Sequence, residues 1–380
     1  MTQAVLRAGV AFVVMVCRAQ DVSPQDLEAL RSLLRTGRLT QAREAASQLI
    51  DGAEKHLPTL LKLGQILGVA KEFPLSERAF MRAVEMSPDS YEAQFNLGFT
   101  RFQIRNFAGA AEPLEKAAAL RPDSFDANYL LGATLSETGR KLEALRRLRT
   151  ARKIGPQHAG ALSLLGVLYL GQGYPLDAME TLDEARRLDP SRLPVWLALA
   201  EAGHDAFEFE KALRWASDAA SRFPDSVDAH FRLGFELETA GRFDDARAAF
   251  DRALKLKPDH PEARLAVGRA ESRAGNRGAA IEHFKAVLRA QPRNAMARLE
   301  LAKALVAGRE FTGAKLLLLA PGDDNRDPAP HLLLHQIYQA EGNTAESARQ
   351  RARYLELTSA RIAGGMSGTV ASRKLRRFVP

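Results

Sequence analysis

The 380-residue chain is 46% hydrophobic and 26% charged, with 7% aromatic residues and a single cysteine. This balance excludes a disordered or disulfide-framed chain and leans towards closely packed helices. The net charge of +8 sits at the ends: Arg7 and Arg18 before residue 21, with Arg361, Arg373, Lys374, Arg376 and Arg377 after residue 360, account for all but one unit of it. A nearly neutral body speaks against nucleic acid as a partner, which needs a basic face.

At the N-terminus, Arg7 precedes the apolar run "AGVAFVVMVC", and Cys17 and Ala19 stand at −3 and −1 of a cut after Ala19. The pattern predicts an export signal over residues 1–19, and hence a periplasmic or secreted protein. The run is too short for a transmembrane helix, which needs about 20 apolar residues. A lipoprotein reading of Cys17 fails because Val16 replaces the small residue expected before it; the competing reading is a buried N-terminal helix. Cleavage would leave a mature chain without cysteine, and so without a disulfide, thiolate metal site or cysteine nucleophile.

From residue 23 onward the chain repeats itself. Pro88, Pro122, Pro156, Pro190, Pro224, Pro258 and Pro292 stand 34 residues apart. With proline as position 32, registers begin at 23, 57, 91, 125, 159, 193, 227, 261, 295 and 329. Position 8 is small (Gly64, Gly98, Gly132, Gly166, Ala200, Gly234, Gly268, Ala302), and position 20 is alanine at Ala42, Ala110, Ala144, Ala178, Ala212, Ala246, Ala280, Ala314 and Ala348. Position 24 carries Phe80, Leu114, Leu148, Leu182, Phe250, Phe284 and Leu318. Apolar residues at three- and four-residue steps within each unit predict two helices packed through these small residues.

The pattern closely resembles the tetratricopeptide repeat, whose unit reads L-x2-L-G-x2-Y, then A-x3-F, then P. The resemblance spans residues 23–362 and implies an all-α, right-handed superhelical solenoid of about ten helix-turn-helix repeats, the first and last two atypical. "TGR" at 138–140, "AGR" at 240–242 and "AGN" at 274–276 mark the turn between helices, where glycine supplies φ > 0. Proline should stop one helix, and Asp89, Asp123, Asp225 or Asp259, or the residue after each, should cap the next. Glu92, Asp126, Asp228 and Glu262 then fall in the first turn, where the helix dipole favours negative charge. In the tenth register Gln336 takes position 8. Residues 363–380, opening on the Gly-rich "AGGMSGT", read as a disordered basic tail.

Chemistry is scarce. There is no phosphate loop, nucleophile elbow or metal-binding cysteine set, and the expectation is no cofactor, no metal and no enzyme. His331 and His335, four apart, lack a third ligand in the motif, and a structural role is the simpler reading. His204 and Asp205 resemble half of a catalytic pair without a nucleophile.

In proteins of this family the concave groove is lined by positions 2, 5, 6, 9, 12 and 13 of the first helix. Those positions hold Phe95, Phe99, Phe102, Tyr129, Ala133, Val167 and Leu170; then Glu201, His204 and Asp205; then Phe231, Arg232, Phe235, Arg269 and Arg273. The expectation is an aromatic stretch, an acidic step and a basic stretch that dock a protein or extended peptide. The alternative is that the position 5 aromatics pack between helices. The carboxylate clamp of chaperone-binding relatives is absent, since only Asn96 matches, and so is the position 6 asparagine ladder. The resulting functional expectation is an exported scaffold or chaperone of an envelope assembly. Its competitor is a non-catalytic regulatory or substrate-presenting subunit of a separate envelope enzyme, in a glycan or secretion pathway.

Overall fold

The computed structural model describes residues 22–53, 56–320 and 327–365. The proposed export signal and most of the basic tail lie outside these residues. Among the described residues there are twenty α-helices and no strand, and they alternate as helix A and helix B of ten pairs. The fold is an all-α helical-repeat solenoid. It divides into two compact units that part between Leu168 and Tyr169.

From the second pair to the ninth, helix A starts on the first residue of the register: Leu57, Tyr91, Phe125, Ala159, Leu193, Val227, Pro261 and Ala295. Side-chain caps fix that start. Ser90, Ser124, His158, Ser226, His260 and Asn294 each accept the backbone N–H three residues on. Where an aspartate follows the proline the cap is thus the next residue, and Asp89, Asp123, Asp225 and Asp259 are not caps. A hydroxyl, imidazole or amide acceptor satisfies one of the orphan donors of the first turn. The sixth pair lacks this device: Arg192 makes no capping bond, and a proline begins the helix.

Position 4 turns the same corner from the other side. Gln94, Asn128, Trp196, His230 and Arg264 all bond the carbonyl of the repeat's proline, six residues upstream. Five unlike side chains share one geometry because each carries an N–H at suitable reach. Residue type hides this role in the sequence.

Every helix A ends alike. The residue at the tight turn has positive φ, and its successor's N–H reaches back five residues, as in Asn106 to the Arg101 carbonyl and Arg140 to that of Leu135. This is the Schellman motif, which favours glycine. Six of the ten turns use glycine, but Lys71, Arg105, Phe207 and Arg309 hold φ between 59° and 61°.

The two helices of a pair meet through missing side chains. A Cβ on Gly64, Gly98, Gly132, Gly234 or Gly268 would lie 2.5–2.6 Å from the large residue at position 24: Phe80, Leu114, Leu148, Phe250 or Phe284. Gly166 is buried as well. Opposite them, Ala42, Ala110, Ala144, Ala178, Ala212, Ala246, Ala280 and Ala314 are buried. Repeat six inverts the scheme, with buried alanines at both places, Ala200 and Ala216.

The last pair departs from the register by one residue. Its turn glycine is Gly342, and helix B starts at Thr344, one position early. Ser347 is buried in place of the expected Ala348, and Gln336 is exposed where position 8 is buried elsewhere. The positive-φ turns Arg309 and Gly342 stand 33 residues apart where the period is 34, so one residue is missing between them and the inward side chains of the last helix shift by one. Helix B of the last pair also continues to Gly365, beyond the expected boundary at Ile362.

Candidate functional site

Each unit presents part of the expected lining. In the first, helix A of repeat three (Tyr91–Gln103) carries aromatic residues at four-residue spacing, which places them on one face. Tyr91 and Phe95 stack with centroids 5.6 Å apart, and Phe95 and Phe99 at 6.4 Å. Tyr91 is fixed from the next repeat: its hydroxyl lies 2.7 Å from Ser124 Oγ, and the Arg121 guanidinium covers its ring at 4.1 Å. Phe99, at the free end of the row, is 40% exposed. Phe102 turns its ring edge-on to Phe107 at 5.3 Å.

Not all of the set is free for a ligand. Tyr129 stacks on Phe125 at 5.7 Å and meets the imidazole of His158, the next cap, at 5.2 Å. Ala133 is buried. Val167 is exposed and Leu170 half-buried. In the second unit Phe231 lies against Phe250 at 5.7 Å and against His260, another cap, at 5.5 Å. Position 5 aromatics there join one repeat to the next.

The charged residues of the second unit form a network, not an acidic step followed by a basic stretch. Arg232 bonds Glu201 at 3.3 Å and Glu236 at 3.4 Å. His204 Nδ1 lies 3.1 Å from the other oxygen of Glu236, and the His204 ring rests 5.0 Å from Phe235. Arg269 bonds Glu238 at 3.0 Å; Arg273 shares that carboxylate and covers the Phe243 ring at 4.5 Å. The three arginines therefore meet three glutamates. Asp205 is half-buried, and the partner facing His204 here is Glu236.

Glu236 and Glu238 are absent from the sequence-based set, yet a signal for two of these pairs exists. Glu201–Arg232 and Glu238–Arg269 are both 31 residues apart, one repeat less one helical turn on successive A helices. Glu236 is 1% exposed, and a carboxylate so buried requires its two cationic or donor neighbours.

The remaining histidines of interest serve packing. His331 Nδ1 contacts Gln350 at 2.7 Å and His335 Nδ1 contacts Ser347 Oγ at 2.8 Å, each tying helix A of the last pair to helix B. Among the described residues no three His, Cys, Asp or Glu side chains gather as a metal site, and no helix is long and apolar enough to cross a membrane. A cleft of about 690 Å³ between repeats one and two was not marked by the sequence pattern.

Paired helices closed by a glycine–large-residue contact, in a 34-residue period, define a class of protein-interaction scaffold. The chain belongs to the tetratricopeptide repeat family: models described as tetratricopeptide repeat match residues 61–125 and 129–192, 227–260, and 271–337. Members of this class are generally non-catalytic scaffolds. A stretch of 152 residues is 28% identical to cellulose synthase operon protein C of Komagataeibacter xylinus, covering 40% of this chain but only 12% of that protein. Among solved structures, Pseudomonas aeruginosa pilF matches at 20% identity with a TM-score of 0.48, covering 57% of this chain and 97% of that one. YrrB, described as a TPR protein with an unusual peptide-binding site, matches at 21% identity with a TM-score of 0.43, covering 52% and 99%.

Proposed function

We propose that this protein is an exported, non-catalytic scaffold that docks an extended segment of a partner protein along the A helices of its first unit. The observation that carries the reading is the stacked row Tyr91–Phe95–Phe99, anchored at one end and 40% exposed at Phe99 at the other. An apolar row held rigid before binding loses little side-chain entropy on contact, which favours a peptide ligand. The internally neutralised network of the second unit supports a structural role there.

A second reading has one specific support, the stretch shared with a protein of a cellulose synthase operon. On that reading the chain is a substrate-presenting or regulatory subunit of a separate envelope enzyme. Affinity capture of the mature chain from its own envelope fraction, beside the Phe99→Ser variant, tests both. The scaffold reading expects a protein recovered by the wild type and lost in the variant. Recovery unchanged by Phe99→Ser, or of cytoplasmic protein retaining residues 1–19, contradicts it. A recovered synthase or glycan-handling enzyme selects the second reading.

A further inference from the structure

The cleft between helix A of repeat one (Pro24–Arg35) and helix A of repeat two (Leu57–Val69) has chemistry of its own. Its apolar lining is aliphatic: Leu34, Leu39, Ile66 and Val69. Val69 is 86% exposed and Leu39 43%, so the rim of the cleft offers apolar surface to solvent. About 690 Å³ is the size of a small-ligand pocket and more than one side chain needs.

The charge around it is unbalanced. Arg31 and Arg35 share a single carboxylate, Glu28, at 3.2 and 2.8 Å. Lys62 faces the same opening, and among the described residues no acid lies within ion-pair distance of it. Three cations against one acid leave two positive charges beside an aliphatic floor. The second unit offers the opposite case, since Arg232, Arg269 and Arg273 are matched by Glu201, Glu236 and Glu238. An incoming carboxylate would have to displace a glutamate there, but not at Lys62. Acidic ligand groups are therefore drawn to repeats one and two and not to the arginines of repeats seven and eight.

We propose that this cleft is an anchor subsite for an extended segment of a partner protein bearing a branched aliphatic side chain next to a carboxylate. The proposal rests on the groove reading above and adds the chemistry of the ligand's end. The aliphatic group fills the space over Ile66 and Val69 and excludes water from it, while the carboxylate meets Lys62 and the Arg31–Arg35 pair. Hydrophobic burial supplies affinity and the cations supply register and on-rate.

The test uses the full chain and a fluorescein-labelled probe, Gly-Asp-Leu-Asp-Leu-Gly, followed by polarisation. Two control probes carry Lys for Asp or Ser for Leu. The expected result is saturable binding of the first probe only, weakened at least tenfold by Lys62→Glu and by Val69→Asp and reduced by added salt. Both substitutions lie on exposed positions, so unchanged circular dichroism is expected. Equal affinity in wild type and both cleft variants overturns the proposal, as does equal binding of the Lys probe or no binding of the Asp-Leu probe. If the captured partner is lost in Phe99→Ser but retained by both cleft variants, the groove stands and the cleft assignment falls. Sedimentation showing a dimer that Val69→Asp dissociates would assign the cleft to a second copy and overturn it too.

Discussion

Gly98 and Leu114 fit together because one of them has no side chain: a Cβ on Gly98 would lie 2.5 Å from Leu114 Cγ. Leu114 is fully buried, so it cannot swing clear. Gly98→Ala is expected to cost about 1–3 kcal/mol by overpacking, and Leu114→Ala about 2–5 kcal/mol by leaving a cavity. The double variant should cost less than the sum of the two, because each change relieves the other. Urea melts of the four proteins check this. Strict additivity would mean that the two helices do not meet at this pair.

The turn residues give an opposite sign. Lys71, Arg105 and Arg309 hold left-handed backbone at a position where six other repeats place glycine. Replacing each by glycine removes a steric penalty of roughly 1–2 kcal/mol and restores part of the unfolded chain's entropy. The expected net gain is about 0.5–1 kcal/mol per site, read as a higher melting temperature. Gly139→Ala should lose a similar amount.

These two cases show what the residue string reveals and what it hides. The close helix approach at Gly98 was legible, because small residues recur 34 apart at positions 8 and 20; that Leu114 fills the space over Gly98 was not stated by that pattern. The turn at Arg105 was not, since arginine carries no mark of positive φ and only the closing hydrogen bonds demand it. Register slipped at Ser347 because one residue is missing from a stretch without the marker proline. The pairing of Arg232 with Glu201 depends on the stagger of neighbouring A helices, which periodicity along one chain does not state. The cleft at Val69 was hidden for a related reason. Exposure of an aliphatic residue is a property of what fails to pack on it.

Glu236 is the most buried member of the charged network, with its two oxygens turned to His204 and Arg232. Glu236→Ala leaves both neighbours facing a site without a carboxylate. A loss of about 3 kcal/mol is expected, as for other broken buried ion pairs, and Glu201→Ala, at an exposed carboxylate, should lose under about 1 kcal/mol. Equal losses in the two variants would show that Glu236 is hydrated in solution. Chemical denaturation at pH 7.5 is the measurement.

Burial lowers the pKa of His283 from its ordinary 6.5, and the nearby Arg264 guanidinium pushes the same way; Nδ1 is buried without a hydrogen-bond partner. The folded state therefore resists protonation more than the unfolded chain does. Stability from this group is fully present above about pH 6.5 and falls as pH drops through the folded value. Between pH 7.5 and 5.5 the wild type should lose more stability than His283→Gln, which has nothing to protonate. Parallel losses in the two proteins would remove His283 as a cause of acid sensitivity.

The aromatic set divides by what each ring touches. Tyr129 and Phe231 lie between their own helix and the next repeat's cap, against His158 and His260. Truncating either to alanine should destabilise by about 2–4 kcal/mol, the range for a large side chain lost from partial burial. Phe99 stacks only on Phe95 among the ring contacts and shows 40% of its surface to solvent, so Phe99→Ser should cost under about 1 kcal/mol. Its effect belongs to binding. An exposed aromatic that becomes buried under a ligand is a typical hot spot, and its loss should weaken the captured partner by about 2 kcal/mol, some thirtyfold in Kd. Phe95→Ala should do both, since Phe95 supports Phe99 from below and is itself half-buried. Isothermal titration with the captured partner, beside thermal melts of the same samples, separates these effects. A Phe99 variant that melts early but binds normally would place this ring in the core and move the docking surface elsewhere.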